Sequence, residues 1–514
     1  MSEETGSDDS KQSTSDALAT VVSGGAIISA SKFISLGFGF LTQIVMAQLL
    51  TEAAYGEVVL TLAVVNIAGL IAKLGLDEGL TRELPHYEDS AEKAQGVIRA
   101  GIVIAAISSL TSFIFVYFSA PFVARQIFSD ASLIPLFRVS AFGIPFIVFR
   151  SVSVSLARGS RNARVHAYVN QLFQPFVRLL FISGFVIAGF SAFGAVAGQI
   201  SAVIVASLLA LYLAKKTLPS FSGTPASMYR SVLTFSVPLI AAQGMGFINS
   251  NVDIYMIGYF IDSSAVGVYN IALQLGNIVT AVLGSIGFLL PPMLTRLNKK
   301  NQNVEMRRTY QVITKVMTIV VLPLVVVLFF APSLVIGIFF GEKYIDGATA
   351  LRVLLIGNLF AVVMGLNGSA LVSLGDNQII SVIVAVESVI NIVINILLVP
   401  VLGIVGAAVG MTISTIIGDS LGVSVLYKRH DIHPFTRSVF SPIVVVLLLS
   451  FIGYFSFSII GFPTELVIIL IGVAYVPLIT TVAIEPEDEE LLSRFEDHMG
   501  YDLSIFRQAI RILD

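Results

Sequence analysis

The sequence predicts an all-α polytopic membrane protein built from two parallel six-helix repeats and an additional helix pair. Three observations carry this reading. Of 514 residues, 56% are hydrophobic and only 12% charged, against about 25% charged in a soluble globular domain. Apolar runs of the roughly 20 residues that cross a bilayer recur about fourteen times, cut by charged or Pro/Gly-rich joints. The first six runs are also echoed by the next six, a duplication that hydropathy alone does not reveal.

In chain order, residues 1–18 are acidic and polar, as in "MSEETGSDDSKQSTSD". That is the wrong charge for a secretory n-region and the composition of a disordered cytoplasmic tail. Spans are expected near 19–50, 57–81, 97–119, 131–155, 167–188 and 192–214, forming an N-terminal six-helix bundle over 19–214. A cytoplasmic linker at 215–229 leads to spans near 230–260, 265–293, 310–332, 346–373, 378–399 and 402–427, the C-terminal bundle over 230–427. Spans near 438–459 and 464–484 form the additional pair, and 485–514, with "EPEDEE" and amphipathic stretches, forms a second cytoplasmic tail.

Arg and Lys crowd alternate loops: Arg82 and Lys93; Arg158, Arg161 and Arg164; Lys215 and Lys216; Arg296, Lys299 and Lys300; Lys428, Arg429 and Arg437. The intervening loops hold little beyond Arg125 and Lys343. The positive-inside rule then puts both termini in the cytoplasm of a cell-membrane protein. Basic loops are also contacts for anionic membrane lipids. Cysteine is absent, which excludes disulfides and thiolate metal sites; tryptophan is absent too, leaving Tyr and Phe for the interfacial belt.

The duplication rests on quoted pairs. "MAQLLTEAAYGEVV" resembles "MIGYFIDSSAVGVY", aligning Met46 with Met256 and Gly56 with Gly267; "FRVSAFG" recurs as "LRVLLIG", and Gly194-Ala195-x-x-Gly198 as Gly406-Ala407-x-x-Gly410. Because six is even, the copies share one orientation, related by an axis along the membrane normal.

Ionisable groups inside spans are costly, so each is a candidate for function. Lys32 lies near the middle of the first span and reads as a cavity cation for an anionic head group, against snorkelling or a neighbouring carboxylate. Asn170, Gln174 and Arg178 stand four apart on the fifth span, and Glu387, Asn391 and Asn395 on the eleventh, each a cavity wall or interhelical glue. Arg178 can hold a phosphate bidentately, and Arg150 lies deep enough to meet a head group entering from the cytoplasm. Lys73 and Asp77 read as an i,i+4 structural pair. Asp253 aligns with Gln43 of the first span, both expected to face the cleft between the halves. Asp253 is a proton or sodium site, a partner for a cavity cation, or a buried acceptor for Asn249 or backbone. Asp419 is expected to be solvated at the interface. No phosphate loop is present, and the histidines fall in loops or the tail, so no cofactor and no metal site is expected.

"LLTEAAYGEV", "SSAVGVYNIALQLGN" and "FSVPLIAAQGMGFINSNVDIYMIGYF" resemble the Wzx-type polysaccharide-biosynthesis flippases of the multidrug/oligosaccharidyl-lipid/polysaccharide exporter superfamily, up to about residue 484. The resemblance implies two bundles around a central cleft and an extra helix pair. It further implies translocation of a polyprenyl- or dolichyl-linked sugar to the outer leaflet for surface polysaccharide or glycoprotein assembly. Partners would be the lipid-linked sugar and the glycosyltransferases and ligase of the same pathway, with no nucleic acid. The chain departs from the pattern in offering one mid-span cation in the first span, Lys32, where such cavities are often strongly basic. Two other readings stand: an ion-coupled exporter of amphipathic small molecules using Asp253, and a membrane-embedded glycosyltransferase. The last needs paired acidic residues, and no Asp-x-Asp occurs.

Overall fold

The computed structural model describes residues 31–460 apart from 88, 161, 163, 219–223 and 288–289. The expected tails at 1–18 and 485–514 and the span at 464–484 lie outside the described residues. Among the described residues there is no strand. Hydrocarbon offers no partner for exposed backbone N–H and C=O groups, so each segment satisfies them internally as helix.

The first half comprises α1 (Ser31–Leu49), α2 (Glu52–Lys73), α3 (Leu76–Glu83), α4 (Ala91–Phe122), α5 (Leu133–Ala141), α6 (Gly143–Gly159), α7 (Arg164–His166), α8 (Gln174–Phe185) and α9 (Ser191–Thr217). The second comprises α10 (Tyr229–Phe260), α11 (Ser263–Gly287), α12 (Leu290–Lys299), α13 (Asn303–Phe330), α14 (Pro332–Phe340), α15 (Ala348–Met364), α16 (Asn367–Ser373), α17 (Asn377–Leu402) and α18 (Ile404–His430), followed by α19 (Arg437–Ile460). Nine described helical runs are long and apolar enough to cross a membrane, or ten if the bent pair Tyr229–Phe247 and Ser250–Phe260 is one span. That is fewer than the predicted fourteen, partly because one run, Arg164–Thr217, joins two expected spans across a kink at Gly189 (φ 90°).

Several spans are broken rather than continuous. The second changes direction at Leu74 (φ 50°) and Gly75 (φ 70°), where α2 gives way to α3. The fifth contains π-helical turns at Ala167–Phe173 and Val186–Phe190. Such widened turns re-aim the side chains they carry. Helix starts and ends follow local chemistry: Thr51 caps α2 by accepting from the Ala54 N–H at 3.2 Å, and Lys428, Arg429 and His430 occupy the last turn of α18, where the helix dipole favours cations.

Within the first half α2 packs on α4, α5, α6 and α9; within the second, α11 packs on α13 and α15, and α17 on α10 and α18. The halves meet where α2 touches α11 and where α3 and α2 touch α10. One end of the bundle carries Glu52, Glu57, Asp130 and Asp262, and the opposite end carries the Arg/Lys-rich connections. At the acidic end the α2–α11 contact is backbone on backbone. A Cβ on Gly56 would fall 1.6 Å from the Ser263 carbonyl oxygen, and one on Gly267 would fall 2.5 Å from the Glu52 carbonyl oxygen. Only glycine permits that approach. Across it, Ser264 Oγ donates to Glu52 Oε2 at 3.0 Å and Ser263 Oγ to Asp130 Oδ2 at 2.9 Å.

At the basic end Asp376 clamps the α17–α18 hairpin, accepting from Arg429 Nη1 at 2.5 Å and lying 2.8 Å from His430 Nε2. The His430 hydrogen bond, reinforced by Arg429 and opposed by partial desolvation, holds the Asp376 carboxyl below the usual carboxylate range.

The glycine contact yields a direct prediction. With no native cysteine in the background, the double variant Glu52→Cys/Ser264→Cys cross-links readily under mild oxidation. Adding Gly56→Val lowers the cross-linked fraction by about fivefold or more, the effect of roughly 1 kcal/mol on the joined state. An unchanged yield contradicts the close approach.

Candidate functional site

The side chains that could handle a charged cargo gather along the seam between the halves. Lys32 is exposed on α1, and its Nζ lies 3.2 Å from where a Cβ on Gly284 of α11 would stand, so the ammonium reaches the second half. Arg178 on α8 brings Nη2 within 3.5 Å of the corresponding position at Gly39 of α1 and interacts electrostatically with Tyr55. Its Nε is buried without an acceptor. At 1.5 Å per residue, Gly39 lies about 15 Å along α1 from Leu49 at the acidic end, and Lys32 about 26 Å. The two cations therefore sit at graded depths along α1, Arg178 nearer the acidic end and Lys32 nearer the basic end.

Above them the seam closes through Tyr55. Its hydroxyl lies 2.8 Å from Gln43 Oε1 of α1 and 2.7 Å from Asn270 Oδ1 of α11. A phenol has one proton to donate, so the second amide turns its NH2 toward the oxygen. Gln43 thus reaches the second half through the Tyr55 hydroxyl.

The predicted stripe on the fifth span is divided. Asn170, in the π-helical turn, accepts from Arg150 Nη1 and lies 3.2 Å through Nδ2 from His166 Nδ1. The next residue, Gln171, instead accepts from Ser31 Oγ of α1. Gln171 and Arg178 therefore share the α1-facing side, with Gln174 between them in sequence, whereas Asn170 turns to α6. The wider π turn moves the register by which neighbours on this helix share a face. Arg150 belongs to this second group, apart from Lys32, and its Nε is also buried without an acceptor. No salt bridge among the described residues engages Lys32, Arg150 or Arg178.

Lys73 and Asp77 form the expected pair, Nζ to Oδ2 3.0 Å. Asp77 also reaches the other half, where Gln243 Nε2 of α10 donates to its Oδ1 at 3.2 Å. Nearer the basic end Ser231 Oγ of α10 donates to Glu83 Oε1 at 2.5 Å. Cross-seam bonds at both ends thus pair a carboxylate of the first half with a neutral donor of the second.

Asp253 does not face the seam. It is 4% exposed, enclosed by α10, α11 and α17, and accepts from Tyr269 Oη at 2.7 Å and from Asn395 Nδ2 at 3.0 Å. These donors come from neighbouring helices, and the expected partner Asn249 has a side chain outside the described ones. Asn391 and Asn395 are fully buried beside it, with Asn395 Nδ2 also 2.7 Å from Asn391 Oδ1. Gly410 of α18 makes the room: a Cβ there would lie 2.9 Å from Asn395 Nδ2. On the same helix, Glu387 rests on Gly418 beside Asp419. Asp419 is not an interfacial residue in water; Asn367 Nδ2 donates to its Oδ1 at 2.8 Å, and its Oδ2 is buried.

Sequence reasoning missed Ser31, Tyr55, Asn270, Tyr269 and Gln171. A signal existed for the tyrosines, since each half sends one from its second span to the polar residue of its first. An apolar groove of about 690 Å3 runs along α2 and α4, but no ionisable residue lines it and it lies apart from these groups.

The family model described as "Polysaccharide biosynthesis protein" matches residues 45–349, more than half of the chain. The teichuronic acid biosynthesis protein TuaB of Bacillus subtilis is 26% identical over 317 residues, 60% of this chain and 62% of that protein. The succinoglycan biosynthesis transport protein ExoT of Rhizobium meliloti is 21% identical over 474 residues, 91% of this chain and 93% of that protein. Among solved structures, the lipid II flippase MurJ in an inward closed conformation shares the fold, with a TM-score of 0.70 at 15% identity over 88% of this chain and 98% of that one. On the strength of the model match, the chain is a multi-pass membrane member of the polysaccharide biosynthesis protein family.

Proposed function

We propose that this protein is a flippase for a lipid-linked sugar, carrying a polyprenyl- or dolichyl-anchored phosphate or pyrophosphate head group from the inner to the outer leaflet. The observation that carries the reading is the pair of cations that no salt bridge among the described residues engages, Lys32 and Arg178, at stepped depths along the seam of a family tied by name to polysaccharide biosynthesis. Carrying a charged, hydroxyl-rich head group through about 30 Å of hydrocarbon is the barrier to be removed. With the basic end in the cytoplasm, by the positive-inside rule, Lys32 stands at inner-leaflet depth and meets the phosphate first. Arg178, with a buried unfilled donor, takes it next through two parallel hydrogen bonds. Arg150, bonded to Asn170, lies off this line.

The acidic end then acts as the outer gate. Parting of Gly56 from Ser263, with loss of the Tyr55–Asn270 contact, opens the seam outward, and Glu52, Glu57 and Asp130 repel the departing anion. The carboxylates of the first half that bond across the seam accept from serines and a glutamine of the second, contacts that suit two halves that rock. The chain acts as a transporter, not an enzyme: glycosyltransferases on the cytoplasmic side supply its substrate, and a ligase or polymerising activity outside consumes it.

Asp253 supports a coupling role within the same reading. A carboxylate enclosed by Tyr269, Asn391 and Asn395, away from the cargo path, can exchange a proton or sodium ion without touching the head group. The rival reading, ion-coupled export of an amphipathic soluble compound, uses the same Asp253 but has no need of two phosphate-binding cations.

In proteoliposomes bearing a short-chain polyprenyl-phosphate sugar, Lys32→Ala and Arg178→Ala each lower protein-dependent flipping about tenfold or more, about 1.4 kcal/mol in affinity or barrier, while insertion and monodispersity persist. Wild-type rates in both variants remove these cations from the mechanism; absence of flipping by wild type, across mono- and pyrophosphate anchors, favours the exporter. Asp253→Asn, which retains the side-chain shape, abolishes the response of flipping to an imposed sodium or proton gradient. A response equal to wild type excludes Asp253 from coupling.

A further inference from the structure

We propose that Lys343 of the second half is the exit contact of the cargo phosphate, and that its capture by the phosphate unlatches the outer gate. The proposal deepens the flippase reading and rests on it.

The halves clasp one another at the acidic end through equivalent loops. Phe118-x-Ala120-Pro121, at the outer end of the third span, recurs as Phe329-x-Ala331-Pro332 at the outer end of the ninth. Each loop that follows reaches the turn between the first and second spans of the opposite half. From the first half, Asp130 Oδ2 accepts from Ser263 Oγ at 2.9 Å; from the second, Lys343 Nζ donates to the Leu50 carbonyl at 2.5 Å. Corresponding loops thus carry opposite charges. Of the two cations that the outer loops hold, Arg125 is exposed, whereas Lys343 is partly buried against the end of α1.

The Leu50 carbonyl lies just past the last residue of α1, where carbonyls lack intrahelical donors and the helix dipole favours a cation. The chain that brings Lys343 there is held on both sides. Gly341, with φ 104°, turns α14 into the 3-10 turn Glu342–Gly347. Gln48 Nε2 of α1 donates to the Phe339 carbonyl at 3.0 Å, and the Phe40 ring meets Phe340 edge-on at 5.7 Å. The Tyr344 ring stands edge-on to Tyr55 at 5.9 Å.

Tyr55 closes the seam above Arg178, so Lys343 is the next cation outward. Along α1, Lys32 to Gly39 beside Arg178 is about 10 Å, and Gly39 to Leu50 about 16 Å. The three cations form one stepped series, and the last belongs to the other half.

A ligand opens a gate only through a contact that is better in the open state. Lys343 supplies that contact. Bonded to a neutral carbonyl of the first half, it holds the seam shut; a phosphate brings its own negative charge to the ammonium and displaces the carbonyl. The first half then parts with Glu52, Glu57 and Asp130, leaving Lys343 and its anion on the second.

The test uses the full chain in nanodiscs with spin labels at Ala53→Cys of α2 and Thr349→Cys of α15, exposed positions in different halves of a cysteine-free chain. Pulsed EPR reads the distance between them without lipid, with a short-chain polyprenyl phosphate, and with the uncharged polyprenol of equal length. The same preparations are scored for flipping of the polyprenyl-phosphate sugar. In wild type the phosphate lipid, and not the polyprenol, raises the long-distance population about fivefold or more. Lys343→Met raises that population without lipid and abolishes the further response to phosphate, and Lys343→Arg restores both. Gln48→Ala loosens the same clasp without removing the charge, so it raises the lipid-free population and keeps the response. A Lys343→Met variant that keeps the response as Gln48→Ala does makes Lys343 a structural latch only and overturns the exit contact. Normal flipping with distances unmoved by the phosphate lipid overturns the unlatching and leaves the flippase reading standing, whereas a wild type that neither flips nor responds overturns the two together.

Discussion

The structure depends on the approach of two backbones at the acidic end, where Gly56 of α2 meets Ser263 and Gly267 of α11. Apolar side chains give little drive for helices to associate in lipid, whose tails are as apolar as leucine. Close backbone contact supplies dispersion and lets Ser263 and Ser264 reach Asp130 and Glu52. Each half brings one glycine from the first turns of its second span, so the contact is a product of the duplication. With that point joined, α1 and α8 of the first half can share a seam with α11 of the second.

Charge is distributed with the same economy. Carboxylates that bridge the halves accept from serines or glutamine, bonds of modest net worth that can be exchanged. Lys73 is neutralised by its neighbour Asp77, whereas no salt bridge among the described residues engages Lys32 or Arg178. A cation kept unpaired inside a membrane protein is costly, and its retention at a seam between two halves is the mark of a transient anionic partner. The carboxylates of the second half are kept off this path: Asp253, Glu387 and Asp419 face α17 and α18. In the proposed reading, cargo handling and coupling occupy different halves of one duplicated fold.

Much of the architecture was legible because insertion into lipid writes itself in long apolar runs, and duplication in repeated turns such as those around Gly56 and Gly267. The breaks were not. Leu74–Gly75 and the π turns of the fifth span leave hydropathy unchanged, and a helix apolar on every side has no stripe to tell which face packs where. For this reason Asn170 and Arg178 read as one wall but separate in space, and Asp253 read as seam-facing but is enclosed. Lys73–Asp77 was readable because an i,i+4 pair is local. The Tyr269–Asp253 bond joins different helices, and its trace in sequence is the tyrosine that each half carries near the start of its second span.

The central claim is that a sugar-phosphate head group travels along the seam past Lys32 and Arg178. The most direct measurement is photo-cross-linking of the full chain in membranes with a polyprenyl-phosphate sugar carrying a photoreactive group beside the phosphate, followed by peptide mapping. The account predicts adducts concentrated in residues 31–43 and 171–178, displaced by unlabelled lipid and reduced in Lys32→Ala. Displaceable adducts confined to the apolar groove along α2 and α4, with none on those segments, would contradict it.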